Sequence, residues 1–285
     1  MRRRARYASA IGASWASAAL LAAACGLDIV GDGSIQLPPR EAGDDPPDAP
    51  VVTPDAGVGD ADAAGPLQPC PAPGRGPTLI AVADASFCID ATEVTNRDYD
   101  AFLASTDGGD PDAAVGVELQ PPECAGNVTF GRKGAEGPDG GAPDRPVERI
   151  TWCDARAFCA WAGKRLCGHD PASDAGEWYV ACSAGGARAY PYGDTHVEGA
   201  CWDNGQAAEP QRVGSRTACE GGVAGLFDMS GNVEEWIDSC AAGSCTAAGS
   251  WHGSPPEQSS CDRVSSYTLG ASARAVGFRC CADAR

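Results

Sequence analysis

The sequence predicts an α+β domain with an unusual share of irregular chain, and three observations carry that expectation. Short stretches of helical period alternate with short apolar runs that suit strands. The 285 residues include 37 glycines and 22 prolines, which favours turns and loops over long helices. Fourteen of the fifteen cysteines lie from Cys70 onward, the density of a disulfide framework built in an oxidising compartment.

The N-terminal stretch reads as an export signal over 1–24. Arg2, Arg3, Arg4 and Arg6 form a positive region, and Ile11 to Ala24 is small and apolar. It runs into Leu21-Ala22-Ala23-Ala24-Cys25, where small residues precede a cysteine. That arrangement resembles a bacterial lipoprotein cleavage site with Cys25 as the lipidated residue, although the leucine lies four residues before the cysteine. Plain secretion with a nearby cleavage is the alternative. Lipidation implies a membrane anchor facing an extracytoplasmic compartment.

Residues 25–69 have the composition of a tether. Nine acids stand against one arginine between 26 and 69, and phrases such as EAGDDPPDAP contain no aromatic residue. Such a stretch cannot bury enough apolar surface to offset chain entropy, so it is expected to be disordered and extended by its own charge. The formal charge of the whole chain is −18. This excludes nucleic acid as the default partner, because phosphate neutralisation needs an excess of lysine and arginine.

The folded domain is expected over 70–285, which holds six of the seven tryptophans and all six phenylalanines. TLIAVA and FCID suit strands. In EVTNRDYDAFLAS, Thr95 and Asp98 form a capping box, and Tyr99, Phe102 and Leu103 share one face. In ITWCDARAFCAWAGKRL, Thr151 caps with Asp154, Ala155, Phe158, Cys159 and Ala162 line one face, and Gly163 ends the helix. A third helix, in SDAGEWYVACSAGG, is expected to start near Ser173 and to bury Trp178 and Cys182.

Two clusters carry candidate chemistry. In DMSGNVEEW, Asp228 and Glu235 are hard oxygen donors on either side of a Ser-Gly turn that can aim carbonyls inward, a pattern that suits calcium. A helix N-terminus with acids stabilised by the dipole is the other reading. Cys240 and Cys245 read as a local bridge, with a displaced copper site as the lesser alternative. Local loop closure suggests Cys201 with Cys219. His169, His196 and His252 are far apart, and His252 is expected in an exposed loop, with a ligand or base role as the alternative. Zinc-type CxxC pairs, GxSxG and HExxH are absent.

Six strings, in order over roughly 85–281, carry a resemblance: FCIDATEVTNRDYDAF, PVERITWCDARAFCAWAGKRL, EWYVACSAGG, YPYGD, VGSRTACEGGVAGLFDMSGNVEEW and GFRCC. Together they resemble the formylglycine-generating enzyme, or sulfatase-modifying factor, family. The resemblance implies an elaborated C-type-lectin-like fold with little regular secondary structure. It implies calcium held by the Asp228 and Glu235 side chains and the Gly231 and Val233 carbonyls. The region around Asn204 matches the family's second calcium site poorly and is not assigned. It also implies bridges Cys159–Cys280 and Cys182–Cys261, and leaves Cys167 or Cys153 for Cys281.

The family's chemistry is the oxidation of a substrate cysteine by Cu(I) held between two thiolates, which select that soft ion. Here the resemblance breaks. Gly249 and Ser250 match, but the two thiolate positions fall at Gly253 and near Gln258, Pro255 and Pro256 alter the backbone, and Glu234 replaces an aromatic residue of the pocket wall. Copper is therefore not expected, and the pocket of Ser250, Gly253, Gln258 and Glu234 reads as degenerate. The expectation is a lipid-anchored, non-catalytic module that recognises a peptide or glycan, with Trp251, Trp236 and Trp202 as lining candidates. The alternative is a formylglycine-generating oxidase acting on a sulfatase cysteine.

Overall fold

The computed structural model describes residues 69–72, 74–82, 85–105, 120–127, 129–132, 141–168 and 176–285. The export signal, Cys25, the tether, His169 and Ser173 lie outside them. The chain runs through β1 (Leu79–Ala81), β2 (Phe87–Asp90), α1 (Asn96–Ser105), α2 (Trp152–Trp161), β3 (Arg165–Leu166) and α3 (Glu177–Ser183). It continues through β4 (Glu220–Gly221), β5 (Val223–Phe227), β6 (Glu234–Ala241), β7 (Ser244–Ala248), β8 (Val264–Thr268), β9 (Val276–Phe278) and β10 (Cys280–Asp283). Helices are few and the strands short, which is the α+β pattern expected. Among the described residues no helix is long and apolar enough to cross a membrane.

Two four-stranded sheets organise the domain. One has the order β1-β2-β10-β3, all antiparallel, and the other has the order β8-β7-β6-β9 with β6 and β9 parallel. Strands β9 and β10 are separated by Arg279 alone, so that residue sits where the chain leaves one sheet for the other. The first core gathers Tyr99, Phe102, Phe130, Phe158, Trp236 and Phe278. The second gathers Phe87, Ile89, Trp178, Leu226 and Met229.

The helix starts follow from local chemistry. Thr95 and Asp98 exchange backbone and side-chain hydrogen bonds at the head of α1. Thr151 accepts from the Asp154 amide at 3.1 Å while the Asp154 carboxylate accepts from the Thr151 amide at 2.8 Å, a complete capping box on α2. Both groups are buried, so no water replaces them. Thr151→Ala is expected to cost about 1–2 kcal/mol, a fall of roughly 2–8 °C in thermal midpoint. Differential scanning calorimetry checks it. The third helix starts at Glu177 after Gly176, later than the sequence reading, and Gly176 offers it no side-chain cap.

All fourteen cysteines from Cys70 onward are bridged: Cys70–Cys88, Cys124–Cys153, Cys159–Cys280, Cys167–Cys281, Cys182–Cys261, Cys201–Cys219 and Cys240–Cys245. Cys240 and Cys245 face each other across the β6–β7 hairpin. The question left open for Cys281 resolves to Cys167, because Cys153 is taken by Cys124.

Candidate functional site

The segment 228–235 lies where the two cores meet. It is not a helix N-terminus: after Asp228 the chain turns and enters β6. Asp228, Gly231 and Asn232 all hold positive φ, of 60°, 77° and 58°. Only glycine fits at 231, because a Cβ there would fall 2.3 Å from the Trp202 carbonyl oxygen. The turn is fixed further by the Gly231 amide donating to Ser250 Oγ at 2.8 Å. Ser250, a candidate from the degenerate pocket, is therefore a buried structural acceptor.

A charged centre is buried beneath this turn. Arg279 donates through Nε and an Nη to the two oxygens of Glu235, at 2.7 and 2.8 Å. Its remaining donors reach the carbonyls of Asp90 at 3.0 Å and Phe227 at 2.9 Å. Trp178 Nε1 also donates to Glu235, at 2.7 Å. Two further carboxyl groups, Asp228 and Glu93, act electrostatically on Arg279. Burial pushes Glu93 well above the usual carboxyl range, and the Asp228 charge adds to the effect. Burial likewise pushes Asp228 up to about 6, against the Gly214 amide and Arg279, which hold it down.

Sequence reasoning missed Glu93 and Arg279. Glu93 looks like the lead-in to α1, and Arg279 looks like part of a terminal tail. Backbone bonds place them. The Val94 amide donates to the Phe278 carbonyl and the Phe227 amide to the Ala91 carbonyl, both at 2.9 Å. These clamp segment 91–94 between the end of β5 and β9. A sequence signal for Arg279 did exist: a lone arginine inside the apolar run AVGFRCC needs a buried counter-charge.

The calcium donors expected from sequence fit unevenly. Asp228 keeps Oδ1 buried with no hydrogen-bond partner, the kind of orphaned oxygen a cation would satisfy. Glu235 is already engaged by protein donors, with Oε2 accepting from Arg279 and Trp178 and Oε1 accepting from Arg279. Val233 is buried between the turn and β6.

The segment that aligns with the family's copper-carrying loop, read from sequence as degenerate, is closed rather than open. The Trp251 indole lies over Gly253, and a Cβ at 253 would meet its ring carbons at 2.3–2.8 Å. Trp251 itself remains 41 % exposed. Gln258 is exposed at the end of a single helical turn, Pro256–Gln258. Glu234 is not a bare charge in a wall: Ser265 Oγ donates to it at 2.8 Å and Tyr267 Oη donates to its other oxygen. His252, expected in an exposed loop, is buried. Its amide donates to the Asn232 carbonyl at 3.0 Å, and its Nδ1 lies 3.1 Å from the same oxygen, so the loop folds back beneath Trp251. Trp236 is core, and Trp202 is covered by the Arg216 guanidinium 3.8 Å from its ring. His196 pairs with buried Asp203 at 2.8 Å, a contact the sequence gave no sign of.

Comparison with known proteins fits this arrangement. The sulfatase-modifying factor enzyme 1-like domain model matches residues 64–284. Formylglycine-generating enzyme of Bos taurus is 33 % identical over 144 residues, 42 % of this chain and 37 % of that one. Hercynine oxygenase of Mycolicibacterium thermoresistibile is 37 % identical over 102 residues, 34 % of this chain and 21 % of that one. The Bos taurus protein named inactive C-alpha-formylglycine-generating enzyme 2 is 34 % identical over 116 residues, 36 % of each chain. The matches thus span between a fifth and two fifths of these relatives' own lengths. Among solved structures, PvdO from Pseudomonas aeruginosa superposes with a TM-score of 0.50 at 22 % identity, covering 76 % of this chain and 90 % of that one, and so shares the fold. The chain belongs to the sulfatase-modifying factor enzyme 1-like family.

Proposed function

We propose that this chain is an exported, lipid-anchored recognition module of its family, without the copper chemistry of the oxidase, and that its ligand is a peptide or glycan. The observation that carries the reading is the state of the sulfur. Every cysteine between 70 and 285 is in a disulfide, which leaves no thiolate pair there to hold Cu(I). Two further facts support it. The Trp251 indole fills the space over Gly253, where active members resembling this chain carry a thiolate. One curated relative is itself named an inactive formylglycine-generating enzyme. Trp251 is also the exposed tryptophan of this face, and an aromatic ring partly open to water suits peptide and sugar surfaces alike. Disulfide density and the N-terminal sequence support export and anchoring.

The test has two arms. Thiol labelling of the folded exported protein, read by mass spectrometry, is expected to find no free thiol in 70–285, and titration with Cu(I) no stoichiometric uptake. Two free thiols with one Cu(I) bound would return the chain to the oxidase reading. In the second arm, peptide and glycan arrays are expected to yield a ligand whose binding Trp251→Ala weakens about tenfold or more. Arrays without a reproducible ligand, or binding indifferent to Trp251, would remove the recognition role assigned to this face.

A further inference from the structure

A groove separate from the charged centre is built by the segment that follows α3 and by the chain around Cys261. The end of α3 is tied to that chain by Cys182–Cys261, and the Cys261 amide donates to the Ala189 carbonyl at 2.8 Å. Segment 184–188 folds back on the helix end. There the Gly186 amide donates to Ser183 Oγ at 2.8 Å and the Arg188 amide to the Ser183 carbonyl at 3.0 Å. Tyr190 and Gly193 then exchange backbone hydrogen bonds across a tight turn, with Asp194 just beyond it. Tyr179, Arg188, Tyr190, Asp194, Ser260 and Asp262 line the result, a groove of about 470 Å³. A disulfide and short backbone bonds already hold its walls, so a ligand has little chain to order on binding.

The lining has the chemistry of a sugar site. Tyr190 is half-buried, stacked on Tyr192 with ring centroids 5.6 Å apart, and its Oη donates to the Pro256 carbonyl at 3.3 Å. A ring so fixed, and still partly open, offers an apolar surface to the C–H face of a pyranose. Unused hydrogen-bonding capacity surrounds it. Among the described residues the Asp194 carboxylate has no partner, and Asp262 engages only Oδ1, which accepts from Ser260 Oγ at 2.6 Å. Arg188 donates through one Nη to the Pro191 carbonyl at 3.1 Å and pairs with neither aspartate. Vicinal hydroxyls both donate and accept, so they can use carboxylates and a guanidinium together. A peptide is matched less well, since no aliphatic side chain larger than alanine lines the groove to receive an apolar anchor. Charge narrows the class further. Two carboxylates against one guanidinium repel a uronate or phosphate, and Arg188 opposes a cationic side chain such as lysine.

We propose that this groove binds a neutral pyranose of a glycan, with Tyr190 against the sugar ring and Arg188, Asp194 and Asp262 holding its hydroxyls. The inference rests on the recognition reading, within which it selects glycan over peptide, but it does not depend on Trp251. Arg188, Asp194 and Asp262 are exposed, so their hydrogen bonds compete with water, and the affinity is expected at about 0.1–1 mM.

Isothermal titration of the full exported chain with neutral oligosaccharides of glucose, mannose and N-acetylglucosamine tests this. At least one is expected to bind. Tyr190→Ala is expected to weaken it about tenfold or more, and Tyr190→Phe to stay within about twofold of wild type, because the ring remains. Asp194→Ala combined with Asp262→Ala is expected to weaken it at least about fivefold. An oligosaccharide of uronic acids is expected to bind wild type about tenfold more weakly than the neutral one, and equal or tighter binding overturns the part given to the aspartates. Saccharide binding indifferent to both Tyr190→Ala and the aspartate pair overturns the groove. If that binding is lost in Trp251→Ala, the recognition reading stands without it. A peptide ligand with no saccharide bound overturns the proposal and leaves the reading intact, whereas neither ligand removes both. Should Tyr190→Ala fail to fold, the aspartate variant settles the matter, since both side chains are exposed and their loss leaves the packing alone.

Discussion

Arg279→Met is expected to cost about 3–5 kcal/mol, enough to leave much of the protein unfolded at 37 °C, because removing one partner of a buried ion pair leaves the other charge uncompensated. Arg279 is wholly buried and has four directed hydrogen bonds, two to Glu235 and one each to the Asp90 and Phe227 carbonyls. Methionine fills similar space but offers no donor. Glu235 then keeps only the Trp178 indole, and Glu93 and Asp228 lose the positive charge that draws their ionisation down. Lysine at 279 is expected to recover part of the loss, since its point charge cannot reproduce the two-pronged fork on Glu235. Arg279→Met combined with Glu235→Leu is also expected to recover part, because the stranded carboxylate is gone. The remaining penalty, about 1–3 kcal/mol, belongs to the Trp178 N–H left without an acceptor and to the Asp90 and Phe227 carbonyls left without the Arg279 donor. Urea unfolding midpoints of the single and double variants measure each step. A single-variant loss below 1 kcal/mol would show that the centre is neutralised by something other than Arg279.

The parts of the fold that the sequence made readable are those fixed by neighbours in the chain. Thr95 with Asp98 and Thr151 with Asp154 announce two helices, because a capping box is complete within four residues. The third helix is blurred by several polar residues that could each begin it, and its true start at Gly176 has no side-chain signal. Strand β6 was hidden for a different reason. Its first residues, Glu234 and Glu235, are poor strand formers, and each is tolerated only through a distant partner: Tyr267 and Ser265 for one, Arg279 for the other. The candidate site divides in the same way. Asp228 and Gly231 could be read from the turn they make. Glu93 could not, because its approach to Asp228 depends on backbone bonds from segment 91–94 to Phe227 and Phe278. His252 misled for a related reason: a loop composition of Gly, Ser and Pro suggests exposure, while its ring is buried against the Asn232 carbonyl.

Removing the Cys159–Cys280 and Cys167–Cys281 bridges together is expected to cost more than the sum of removing each alone. Cys280 and Cys281 are consecutive in β10, so their side chains point to opposite faces of the sheet. Cys280 belongs to the core around Phe158, and Cys281 to the core around Ile89 and Trp178. One strand is thereby fixed to both cores, to α2 on one side and to the chain just after β3 on the other. The two bridges span 121 and 114 residues and close nearly the same loop. With either one intact, that long loop stays closed, and the second adds only a short loop of about nine residues, worth roughly 2–3 kcal/mol. Losing both releases the long loop as well. Cys182–Cys261 shortens it from within, which holds the total to roughly 6–7 kcal/mol on the chain-entropy account. Single Cys→Ala pairs are therefore expected to remain folded with lowered urea midpoints. The quadruple variant is expected to lose its cooperative transition, since the total approaches the stability of a typical domain. Simple additivity, with each pair costing the full long-loop amount, would mean that the two bridges do not share a loop in the unfolded chain and that β10 is held by its packing instead.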